Sequence, residues 1–153
     1  MGGRGSYSAS GAVDTSYRLQ HRPGNPLESP GEVATADRIA SGEFFPEDML
    51  DHPEWYFSMD DDGAWETVRT LKAIQGSPDA EVTVYRGAPK GELNQGDWVT
   101  LSKSYAEIYA GDGMYSDNPD SKVYSFKAKA SELSFDGDDI SEFGYWGKRK
   151  VER

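Results

Sequence analysis

This chain is short of aliphatic side chains beside a large net charge, a shortage that its aromatic residues must help to make good. Leu, Ile, Val and Phe together number 25 of the 153 residues, and the formal net charge is -11. So few aliphatic side chains with so much charge would ordinarily leave a chain unfolded. Nine Tyr and four Trp stand beside them, and aromatic rings bury large areas each. The balance predicts one compact aromatic-rich domain over residues 13–153. Residues 1–12 are rich in Gly and Ser and predict a flexible arm.

Several classes drop out on the same grounds. No apolar run approaches the roughly 18 residues of a membrane span, so no membrane contact is expected. Met1 to Ala12 carries no apolar h-region, so no secretory signal is expected. Cysteine is absent, which removes disulfides, thiolate metal sites and thiol nucleophiles and suits a reducing cytosol. An acidic chain is a poor general binder of nucleic acid, because phosphate neutralisation needs a Lys/Arg surface.

The pattern predicts an α+β fold, with early helices packed on a mixed or antiparallel sheet. Asp37 to Ala40 reads as a short helical turn, and 44–57 as short helical pieces joined by aromatics. Asp60, Asp61 and Asp62 suit a helix start. Trp65, Val68, Leu71 and Ile74 follow at near-helical spacing, and Gly76 with Pro78 ends a helix over 62–75. Val82 to Tyr85, Trp98 to Ser102, Lys122 to Lys129 and Leu133 to Phe135 read as strands. Ser104 to Ala110 reads as a short helix, and 147–153 as a basic tail.

Three short segments could carry chemistry: Tyr85-Arg86-Gly87, Thr100-Leu101-Ser102 and Glu142-Phe143-Gly144. An Arg at a strand end, followed by Gly, can offer a guanidinium beside open backbone, which suits phosphate. Taken alone, Arg86 reads first as a surface ion pair, Ser102 as a backbone partner and Glu142 as a solvated acid. With no Cys and two His, a structural zinc site is not expected. The acidic runs 112–120 and 136–139 lack the twelve-residue calcium loop with its terminal Glu, so no metal is assigned.

The order of the three segments resembles the Arg…Ser…Glu arrangement of ADP-ribosyltransferases, over about residues 16–147. The wider run is similar to small phage- and prophage-encoded members. The resemblance implies an ADP-ribosyltransferase-like fold, with NAD as substrate and no metal. It implies that Arg86, beside Gly87, holds NAD phosphate, and that Thr100 and Ser102 support the nicotinamide half. It implies that Glu142 engages the ribose 2′-hydroxyl and stabilises the oxocarbenium ion. It places His21 near the adenosine ribose. It further implies transfer of ADP-ribose to a host macromolecule, protein or nucleic acid, in the host cytoplasm. Two positions depart from the family pattern. Thr100-Leu101-Ser102 stands for the usual Ser-Thr-Ser, and Ile140 stands where many relatives carry the Glu or Gln that addresses the acceptor. The sequence therefore names no acceptor residue and no oligomeric state. Two other readings remain: a small ribonuclease using His21, Arg86 and Glu142, and a non-catalytic inhibitor whose acidic face mimics nucleic acid.

Overall fold

The computed structural model describes residues 24–26, 33–42, 44–60, 62–116, 118–135 and 139–151. The arm and His21 lie outside them. The fold is α+β, and every strand pairing is antiparallel.

Helix α1 is Asp62–Ile74. It buries Ala64, Val68, Leu71 and Ile74, the three-and-four spacing of one helical face. Trp65, expected on that face, lies 40% exposed. Its indole N–H needs a partner and finds the Met59 carbonyl at 3.2 Å, which holds the ring at the rim while Ala64 takes the core position. The helix ends at Gly76, whose φ of +78 is left-handed and suits glycine alone among common residues. The Gly76 N–H then donates to the Asp37 carbonyl at 2.9 Å, tying α1 to the 3-10 turn Ala36–Arg38.

Strands β1 (Ala34–Thr35), β4 (Asp97–Val99), β6 (Leu133–Phe135) and β7 (Phe143–Tyr145) form one sheet in the order β1-β6-β7-β4. A long ribbon pairs β2 (Glu81–Ala88) with β5 (Lys122–Lys129) over their full length. The expected basic tail folds back instead. Lys150–Val151 is β8 and pairs with β3, Glu92–Leu93. The Arg149 guanidinium reaches Glu92 Oε1 at 2.9 Å, so cross-strand charge offsets the low apolar content there.

The core cluster consists mostly of Leu, Ile, Val, Met and Ala, and its buried aromatic members are Phe126, Phe135, Phe143 and Tyr145, with Phe45, Tyr56, Phe57 and Tyr124 packed against it. Phe45 touches Phe57 and Phe135 with centroids 5.4 and 5.9 Å apart, and Phe135 meets Phe143 at 5.6 Å. Phe143 and Tyr145 are fully buried. Tilted pairs at these spacings contribute about 0.5–1.5 kcal/mol each beyond the area they bury. The stretch read as short helical pieces supplies Phe45 and Phe57 and holds one 3-10 turn, Pro53–Trp55.

Candidate active site

Among the described residues, one isolated backbone bridge joins the ribbon to the larger sheet. Tyr85 on β2 and Thr100, just past β4, exchange backbone hydrogen bonds at 2.8 and 3.0 Å. On the other side β4 pairs with β7, Val99 opposite Phe143. Extending that register by one residue sets Glu142 opposite Thr100. Three segments far apart in sequence therefore share one seam: Arg86 next to Tyr85, Thr100 at the bridge, and Glu142 at the head of β7.

Arg86 is anchored across the seam. Its Nη1 donates to the Trp98 carbonyl at 2.9 Å, and its Nε lies 3.7 Å from Asp97 Oδ2. Its side chain is 28% exposed. Asp97 is held in turn by the Asn94 N–H at 2.8 Å. The ion-pair reading of Arg86 is thus realised, in a position that still reaches solvent.

Thr100 and Ser102 are fully buried and used locally. Thr100 Oγ1 accepts from the Ser102 N–H at 3.2 Å. Ser102 has extended backbone and caps the short helix α2, Lys103–Glu107, accepting from the Tyr105 N–H at 3.2 Å. A Ser at this position satisfies an N–H that the helix cannot. Ser102 also bonds Ser104 through their hydroxyls, 3.0 Å apart. Gly87 is explained by packing. A side-chain carbon there would lie 3.0 Å from Ala110 Cβ and 3.2 and 3.3 Å from the Tyr109 and Ala106 carbonyl oxygens. Glycine lets α2 and the turn after it lie flat on β2.

Glu142 is 2% exposed, in a turn where its N–H donates to the Asp139 carbonyl at 3.0 Å. Its Oε2 accepts from the Tyr105 hydroxyl at 3.0 Å. Asp139 Oδ2 lies 3.4 Å from the same hydroxyl. Burial, and then the negative charges of Glu142 and Asp139, push the Tyr105 phenol well above its ordinary range, so it remains a neutral donor. Ile140 is buried in the core, so its side chain is committed to packing. Tyr105 escaped the sequence reading because it sat as one apolar residue in a short helix. Its one available signal was its place three residues after a Ser able to cap. From Tyr105, rings continue through Tyr109 at 5.3 Å to Tyr115 at 5.6 Å, and Tyr115 is largely exposed.

Among the described residues, no group of three or more His, Cys, Asp or Glu is placed to hold a metal ion. Among them too, no helix is long and apolar enough to cross a membrane. Comparison with protein-family models, curated proteins and solved structures gives no match.

Proposed function

We propose that this chain is an NAD-dependent ADP-ribosyltransferase of the Arg-Ser-Glu type, phage-encoded and acting on a host macromolecule. The observation that supports the reading is the seam, where the Tyr85–Thr100 bridge and the β4–β7 pairing set the segments that carry Arg86, Thr100 and Glu142 side by side, while Ser102 is buried as the cap of α2. The side-chain chemistry suits the substrate. A part-exposed guanidinium at the rim offers charge-assisted hydrogen bonds to a pyrophosphate. A carboxylate held among aromatic residues offers fixed negative charge to a ribose that loses its cationic leaving group. Fixed charge at such a point is worth on the order of 3–4 kcal/mol, or roughly 100- to 1000-fold in rate. In this reading Glu142 acts on the ribose, Arg86 binds phosphate, and Thr100 with Ser102 builds the floor that carries Tyr105.

A second reading, a non-catalytic acidic inhibitor of a host factor, is favoured by one observation. Arg86 already spends contacts on Asp97 and Trp98, and the chain carries a net charge of -11. The experiment that separates the two is incubation with NAD and quantification of free nicotinamide. Protein-dependent release supports the transferase. No release, with tight capture of one host protein, supports the inhibitor and overturns the transferase.

A further inference from the structure

We infer that Tyr105 is the positioning residue of Glu142, and that Ser102 serves the site through Tyr105 rather than by touching substrate. This rests on the reading of Glu142 as the acting carboxylate. The geometry is a relay of short contacts. Thr100 Oγ1 holds the Ser102 N–H, Ser102 Oγ caps the Tyr105 N–H, and the Tyr105 hydroxyl donates to Glu142 Oε2 at 3.0 Å. Each member is at most 7% exposed, so water does not compete freely for these groups.

Two carboxylates approach the one phenol, and distance decides between them. The 3.0 Å contact to Glu142 is a sound O–H···O bond, whereas 3.4 Å to Asp139 is beyond the usual range. Asp139 is also engaged at its other oxygen by the Ser141 N–H at 2.9 Å. Of the two carboxylates, Glu142 is therefore the one that the hydroxyl proton serves. It fixes the carboxylate's rotamer and stabilises its charged form next to the like charge of Asp139. Asp139, on the same turn as Glu142, and Tyr109 also act on the Tyr105 phenol.

The test is Tyr105→Phe in the full chain, which keeps the ring and removes only the hydroxyl. Two readouts are taken: nicotinamide release against pH, and the Glu142 carboxyl titration by carbon-13 NMR, assigned by its loss in Glu142→Gln. Loss of a hydrogen bond to a charged group predicts a fall in kcat of about ten- to hundredfold with KM for NAD within about twofold. It also predicts an upward move of the Glu142 midpoint by about one pH unit or more, with the acid limb of the rate profile following. Tyr115→Phe, at the exposed end of the ring row, leaves both readouts unchanged. An unmoved Glu142 midpoint in folded Tyr105→Phe overturns the proposal, whether or not the protein turns over NAD. A moved midpoint in a chain that releases no nicotinamide keeps the positioning contact and defeats the transferase reading instead. Should Tyr105→Phe unfold, Ser102→Gly serves as the second variant. It removes the cap hydroxyl at small cost to the helix and shifts the same midpoint in the same direction if the relay is as described.

Discussion

Gly87→Ala measures how tightly α2 is seated on β2, and hence how well Tyr105 is placed. The added carbon meets Ala110 Cβ at 3.0 Å and two carbonyl oxygens of the α2 segment at 3.2 and 3.3 Å. A side chain could swing aside, but backbone carbonyls move only with their segment. The whole α2 segment must lift by a few tenths of an ångström. Overpacking of this kind costs about 1–3 kcal/mol. Replacing Gly reduces unfolded-chain entropy and returns about 0.4–1 kcal/mol. The net loss is about 1–2 kcal/mol, which in a chain of this size lowers Tm by roughly 2–8 °C. Thermal unfolding followed by near-ultraviolet circular dichroism reads it directly. The double variant Gly87→Ala with Ala110→Gly removes the closest contact and recovers part of the loss, because the two carbonyl contacts remain. An unchanged or raised Tm in the single variant refutes the seating of α2 on Gly87.

Two further outcomes follow from the same geometry. Arg86→Lys keeps the charge but loses the fork, so KM for NAD rises more than kcat falls; steady-state nicotinamide release checks it, and equal losses in both would make Arg86 a structural ion pair alone. Burial and then the charge of Glu132 push the Tyr145 phenol up to about 12, and Tyr105 moves the same way. These phenols are neutral in the native state and ionise near pH 10 when unfolded, so their stabilisation is complete below pH 10; the Tyr145 share is lost as pH rises to about 12, and the Tyr105 share goes on falling above that. Urea midpoints at pH 9 and pH 11.5 check it, and equal midpoints would show that these phenols titrate alike in both states.

The parts of the fold legible in the sequence were those with a strong period. Val68, Leu71 and Ile74 with Gly76 marked α1, and the alternation in Lys122 to Lys129 marked β5. What was not legible depended on contacts between distant segments. Trp65 left the expected face because a carbonyl outside the helix satisfied its N–H. The basic end became β8 because β3 offered it an edge and Glu92 a counter-charge. Of the candidate site, Arg86, Ser102 and Glu142 were picked out by the order of their segments, whereas the approach of those segments at one seam is a property of strand register. Gly87 and Ser102 also carry packing and capping roles that the sequence did not reveal, because close packing and helix capping use the same residue types as ligand binding.

Nicotinamide release by Glu142→Gln, measured beside NAD affinity by calorimetry, tests the central claim most directly. The amide still accepts from the Tyr105 hydroxyl but carries no charge. The account predicts NAD binding close to that of the wild type and release slower by roughly 100- to 1000-fold. Release at the wild-type rate, or a wild-type chain that neither binds nor cleaves NAD, would contradict it.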